Sequence, residues 1–262
     1  MVPCSNWWKP AAALLAALVF CAPAFADPPE REEAPRDPWR ETWAGADVGA
    51  NYWSVYNATV WSPYGPITAP GVRARVSSTY SRYRYDSSRV VAGQVRPTRF
   101  EGVGATAEAM FGWQWQIGTL TAKLYGGIGG VGHTVAPFDP GNDVQGYKIG
   151  ATGALELWWD VRPAIWASLD LTAASAFPQY AATARVGWRV LPGYSIGLEG
   201  QVATDGREER GRLGALARVE WDSREVGWMT LAAGEATLAG GMAADGDGAA
   251  GHWARLNLLL RY

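Results

Sequence analysis

A chain of 262 residues with a formal net charge of −2 is long enough for one large domain or two small ones, and its near-neutral balance argues against a nucleic-acid partner. Fifteen Trp and 32 Gly stand beside a charged fraction of only 18%, and past the N-terminus no stretch of about 18 apolar residues occurs, so helical membrane spans are not expected in a mature chain. Both cysteines, Cys4 and Cys21, fall in the N-terminal stretch, which leaves the remainder without a disulfide or a Cys-based metal site.

The first 26 residues read as a cleaved signal peptide. Lys9 supplies the positive flank, Ala11 to Phe20 the apolar run, and Ala24-Phe25-Ala26 a small-x-small cleavage site before Asp27. Cys21 raises a lipoprotein reading, which Phe20, bulky at the preceding position, argues against. Residues 27–41 are rich in Pro and charge and poor in apolar area, and are expected to form a flexible periplasmic lead-in.

From Thr42 to Tyr262 the chain breaks into segments of roughly ten to seventeen residues with period-two alternation, separated by turn signals. The clearest runs from Val103 to Ile117, with Phe111, Trp113 and Trp115 on one face and Glu108, Gln114 and Gln116 on the other. A helix would smear those two sets around its circumference, and a strand separates them. Similar segments begin at Leu120, Lys148, Ile165, Ala182, Ser195 and Arg212. Residues 42–49, 53–62, 72–84 and 226–236 alternate less cleanly and are also assigned as strands. The last strand alternates Ala254, Leu256, Leu258, Leu260 and Tyr262 with Arg255, Asn257, Leu259 and Arg261. Left on a sheet edge it would invite aggregation, and pairing with the first strand removes the edge. The fold class expected is therefore all-β: an antiparallel transmembrane β-barrel of about 12 strands, in the outer membrane of a Gram-negative bacterium, with outer-membrane lipid around it.

Connections and rings fit that reading. Short or Pro/Gly-bounded turns at 62–71, 117–118, 161–163, 191–193 and 223–226 are placed at the periplasmic end, and long loops at 86–98, 136–145 and 240–251 outside. Trp61, Tyr64, Trp113, Trp115, Trp158, Trp159, Trp188, Tyr194, Trp221, Trp228 and Tyr262 would form one aromatic girdle. Tyr52, Trp53, Tyr80, Tyr83, Phe100, Tyr147, Phe177, Tyr180 and Trp253 would form the other.

The polar face assigns to the lumen Asp47, Arg73, Arg75, Glu108, Lys123, Lys148, Glu156, Asp170, Arg185, Arg189, Glu199, Arg212, Arg218, Glu220, Arg255 and Arg261. Mixed signs suit a self-satisfied network of ion pairs, which is the simpler reading, before a charged constriction that selects a solute. His133 and His252 near the outer rim raise a rim hydrolase, which requires a nucleophile within hydrogen-bond reach. Asp139 with Asp143, and Asp245 with Asp247, sit in Gly-containing outer loops that could hold calcium, although their spacing matches no recognised loop and solvated turns are the simpler reading. Tyr80, Tyr83 and Tyr85, interleaved with Arg82 and Arg84, could offer rings to a passing sugar chain or contacts to a partner, or run as an interfacial girdle into the loop. No catalytic residue, cofactor or metal site is assigned.

Two stretches carry a resemblance. The opening Thr42-Trp43-Ala44-Gly45-Ala46-Asp47 with Ser54-Val55-Tyr56, and the strand from Gly71 ending in Tyr80, Tyr83, Arg84 and Tyr85, are similar to the cellulose biosynthesis protein BcsS family of alphaproteobacteria. Asn57-Ala58 departs from the small residue expected first at that point. The resemblance implies a non-catalytic outer-membrane barrel accompanying a cellulose synthase system, with export components or the glucan chain as partners. A general or solute-specific porin is the alternative, and a rim hydrolase the second.

Overall fold

A computed structural model describes residues 38–91, 94–204, 209–222, 224–226, 229–231, 233–245 and 250–262. The expected signal peptide, and residues 27–37 of the expected lead-in, lie outside the described residues. Fourteen strands follow in chain order: β1 (Arg40–Gly49), β2 (Tyr52–Trp61), β3 (Gly71–Val91), β4 (Gln94–Ile117), β5 (Leu120–Ala136), β6 (Gly146–Arg162), β7 (Ile165–Ala174), β8 (Gln179–Leu191), β9 (Tyr194–Thr204), β10 (Glu209–Trp221), β11 (Arg224–Val226), β12 (Met229–Leu231), β13 (Ala233–Asp245) and β14 (Ala250–Arg261). Twelve of them close an antiparallel barrel, and β11 with β12 make a small hairpin apart from it. Closure comes from β1 against β14, in register from Glu41 opposite Arg261 to Gly49 opposite Trp253. No sheet edge is left at the seam.

Alternation along each strand fixes which side chains leave the wall and which enter it. Phe111, Ile128, Ile149, Ile196, Leu198, Leu213, Leu238 and Leu256 stand on the outside, Phe111 72% exposed and Ile149 67%. Each such side chain left in water forfeits about 1.5–3 kcal/mol. Eight of them together forfeit on the order of 10–20 kcal/mol, as much as the whole stability of a soluble domain. The surface is a lipid-facing one, and the fold is that of an outer-membrane barrel. The tight turns at 118–119, 163–164 and 192–193 share one end, the periplasmic end in such barrels. Gly118 and Gly193 turn there with φ of +59° and +75°, which a Cβ would strain.

Three expectations change. Residues 86–91 and 94–98 are ladder and not loop: β3 and β4 stay paired from Gly71 opposite Gln114 to Val91 opposite Gln94. Backbone groups make that ladder, so its Arg, Asp and Ser side chains disguise it. The strand expected over 226–236 is β13, Ala233–Asp245, and much of the loop expected over 240–251 belongs to it and to β14. Its run of Ala and Gly gives no alternation to read. The girdles also thin out, because Trp158, Tyr52, Tyr83, Phe100, Phe177 and Trp253 are on the inner side or packed beneath the outer loops. Trp228 lies outside the described residues.

Candidate functional site

The inner face of the wall is a set of ion-pair ladders strung between strands. One crosses the outer half. Asp170 on β7 meets Arg185 on β8 at 2.5 Å, and Arg185 Nε reaches Glu199 Oε2 on β9 at 2.7 Å. Glu199 Oε1 accepts from Arg255 Nη1 on β14 at 3.0 Å. Arg255 Nη2 then donates to Asp47 Oδ2 on β1 at 3.0 Å, which also accepts from Arg212 Nη1 on β10 at 2.7 Å. Tyr52 Oη closes the set on Asp47 Oδ1 at 3.0 Å. Signs alternate along the whole series, so each buried charge is matched, as charges away from bulk water require. Glu199 has no exposed surface at all.

A second ladder lies toward the periplasmic end. Lys123 Nζ on β5 reaches across to Glu41 Oε1 on β1 at 2.6 Å, and to Glu156 Oε2 on β6 at 3.7 Å. Arg75 Nη1 on β3 donates to Glu156 Oε1 at 2.7 Å, while its guanidinium lies over the rings of Trp43 and Tyr125, 5.2 and 5.5 Å from their centroids. Arg261 adds a contact to Glu41 at 3.6 Å. Since three strands, β2, β3 and β4, lie between β1 and β5 on the wall, the Lys123–Glu41 pair bridges the interior.

Below it the connection between β2 and β3 folds inward. Arg73, 1% exposed, donates from Nη1 to Ser62 Oγ at 2.9 Å and from Nη2 to the carbonyl of Ile67 at 3.0 Å and that of Ala69. Gln114 Nε2 on β4 reaches the carbonyls of Thr68 and Ala69 at 3.3 and 3.2 Å. Ile67 is buried, and its N–H donates to the Pro38 carbonyl at 2.7 Å. Residues 62–70 therefore form a flap folded inward at the periplasmic end and pinned to β3, β4 and the segment before β1.

The remaining inward charges have local partners. Arg218 on β10 pairs with Glu220 at 2.8 Å and with Glu235 on β13, and lies 4.4 Å over Trp158, which stacks on Trp166 at 4.6 Å. Arg189 meets Asp160 at 2.5 Å. Glu108 accepts from Ser77 and Thr152, each at 2.8 Å. Lys148 Nζ sits 4.2 Å over the ring of Phe177.

The outer mouth is packed with rings. Tyr83 and Tyr85 stack at 6.3 Å, and Tyr85 on Phe100 at 5.2 Å. Tyr85 Oη donates to Asp139 Oδ2 at 2.6 Å and accepts from Asn142 Nδ2 at 2.9 Å. Val144 and Phe177, from two outer loops, bury themselves with Val131. His133 contacts Tyr83 Oη through Nδ1 at 3.3 Å and meets the edge of Phe177. His252, exposed, points to the opposite side of the wall, so the two histidines do not share a site. Asp139 is buried and also accepts from the Gly141 N–H at 3.0 Å. The side chain of Asp245, and Asp247 altogether, lie outside the described residues. Among the described residues no three His, Cys, Asp or Glu side chains come together as a metal would need.

The residues expected to touch a glycan, Tyr80, Tyr83, Arg84 and Tyr85, do not share a surface. Tyr83 and Tyr85 face the mouth. Tyr80 leans outward on Trp53 at 5.7 Å, and Arg84 bonds the Asn51 side chain and the Ala50 carbonyl in the β1–β2 turn. Strand parity separates them, and the same parity was the signal available in the sequence. Glu41 lies one residue before the first expected strand, although Asp47 read back in steps of two puts it inside. Nothing in the composition of residues 62–70 announced an inward fold.

The wall, its apolar outside and its charged, closed-up inside define an outer-membrane β-barrel. The sequence from 42 to 262 matches the family model of cellulose biosynthesis protein BcsS, and the chain belongs to that family. Comparison with curated proteins found no match. Among solved structures it is similar to the KdgM porin, with 8% identity, TM-score 0.41, and coverage of 85% of this chain and 99% of that one. It is also similar to the outer membrane protein Omp33 of Acinetobacter baumannii, with 7% identity, TM-score 0.39, and coverage of 86% and 98%. The translocator domain of the autotransporter NalP from Neisseria meningitidis gives 10% identity, TM-score 0.42, and coverage of 97% and 95%.

Proposed function

We propose that this barrel is a non-catalytic accessory of cellulose biosynthesis, acting at the outer membrane in assembly or export of the polymer. Membership of the BcsS family over nearly the whole wall supports the cellulose role. The filled interior supports a scaffold over a conduit, because the Lys123–Glu41 pair bridges the lumen and the flap at 62–70 folds into its periplasmic end. In this reading the outer mouth, with Tyr83 and Tyr85 at its rim, is where the glucan or an export component meets the protein, and the charged interior holds that rim in shape. The alternative is a porin, whose solute would have to displace those bridges. A rim hydrolase draws less support still, since His133 is engaged by Tyr83 and Phe177.

The test is a clean deletion strain. Secreted cellulose is measured beside synthase activity of isolated inner membranes. The expected outcome is loss of secreted polymer with the synthase still active. Unchanged cellulose would remove the proposal and bring the porin reading forward.

A further inference from the structure

Above the barrel, β3 and β4 continue alone. β2 stops pairing with β3 at Tyr83 and β5 stops pairing with β4 at Glu101, yet the β3–β4 ladder carries on for seven rungs, from Tyr85 opposite Phe100 to Val91 opposite Gln94. At about 3.3 Å per residue the ribbon stands on the order of 20 Å above its neighbours. Residues 84–100 hold four arginines and a single acid, Asp86. That acid is already taken: Arg99, directly opposite, forks onto its two carboxylate oxygens at 2.9 and 3.0 Å.

Parity puts Asp86 and Arg99 on the ribbon's outer face. The other face continues from Tyr83 and Tyr85 over the mouth, and there Ser87 stands opposite Thr98 and Arg89 opposite Arg96. Arg96 Nη2 touches only a neutral amide, Gln94 Oε1, at 3.4 Å. Two guanidinium groups held directly across a ladder repel. Register fixes them there, the ribbon supplies no carboxylate to that face, and Asp139 at the mouth is buried and bonded to Tyr85. Opposed guanidinium forks flanked by hydroxyls are the chemistry that recognises an anion on a hydroxyl-rich polymer.

We propose that Arg89 and Arg96 form a clamp at the outer mouth for an anionic polysaccharide. The polymer, and not the phosphorylated glycolipid of the outer leaflet, is the occupant because the clamp faces the mouth and stands above the wall, whereas headgroups meet the wall's outward face. This is separate from the cellulose reading, since a neutral glucan has no need of paired cations.

The experiment uses the full chain folded in detergent micelles, with folding checked by heat-modifiable gel mobility. Binding to carboxymethylcellulose and to neutral hydroxyethylcellulose is measured at low and high salt for the wild type, the Arg89→Gln/Arg96→Gln double variant and Arg99→Gln. Expected is salt-sensitive binding of the carboxylated polymer alone, weakened about tenfold or more in the double variant, the size of one charge-assisted contact. Arg99→Gln, altering the other face, should stay within about twofold of the wild type on the same scale. Equal binding of the neutral polymer, equal loss in Arg99→Gln, no binding at all, or binding only to vesicles carrying phosphorylated glycolipid would each overturn the clamp. Cellulose output of the double variant is read alongside: output kept while binding is lost leaves the accessory role standing.

Discussion

Asp47 carries more of the interior than any single charge beside it, because Arg212, Arg255 and Tyr52 all converge on one carboxylate. Taking the charge away leaves two guanidinium groups buried beside a neutral amide. Breaking a buried pair from one side costs about 3–5 kcal/mol. Asp47→Asn should therefore lower unfolding stability by about that much, measured by urea titration of the barrel refolded into vesicles. Asp86→Asn on the exposed ribbon should leave the same titration unchanged, as surface pairs contribute little. Asp86 nonetheless gives a local pH signal. Its hydrogen-bonded partner Arg99 holds the carboxyl below the usual carboxylate range. A folded value below the unfolded one means that the pair is intact above the ordinary carboxylate value and is lost as acid titrates the folded group. A carboxyl-carbon NMR titration should show that lowered midpoint, and Arg99→Gln should return it toward 3.8.

Among the elements, those with two chemically distinct faces were legible and those without were not. β4 separates Phe111 and Trp113 from Glu108 and Gln114, and the parity of the sequence led straight to its place in the wall. β13 places Ala and Gly on both faces, so its ends were misread by as much as nine residues at the outer side. The ribbon above the mouth looked like a loop because its residues are polar on both faces, while its order resides in backbone pairing that composition does not record. The flap was invisible for a further reason: Arg73 and Gln114 hold it through carbonyl oxygens, and any residue offers those. Arg73→Ala removes two such contacts and a third to Ser62 Oγ, and leaves the carbonyls of Ile67 and Ala69 without that donor. Charged hydrogen bonds contribute about 1.5–3 kcal/mol each. Amide exchange across 62–70, followed by mass spectrometry, should then speed up by on the order of a hundredfold or more while β8 and β9 stay as in the wild type. Unchanged exchange in 62–70 would mean that the flap is held from elsewhere.

For the whole molecule, the question is whether a closed wall is also a closed pore. Small barrels fill with side chains and larger ones leave a channel, and twelve strands lie between those regimes, so strand count alone decides nothing. What decides is the content. The outer ladder draws side chains of alternating sign from six strands, the Lys123–Glu41 pair bridges the interior, and the flap folds into the periplasmic end. An ion crossing would have to part buried pairs whose disruption costs about 3–5 kcal/mol, and a barrier of that height suppresses passage by a factor on the order of 10² to 10⁴. The wild-type protein in a planar bilayer should accordingly show no steady single-channel steps. Removing one barrier leaves the other, so Lys123→Ala and a variant with 63–69 replaced by a short Gly/Ser turn should each stay quiet. Combined, they should conduct. Steady steps from the wild type would mean that the ladders part readily, and the interior would then be a selective passage instead of a scaffold.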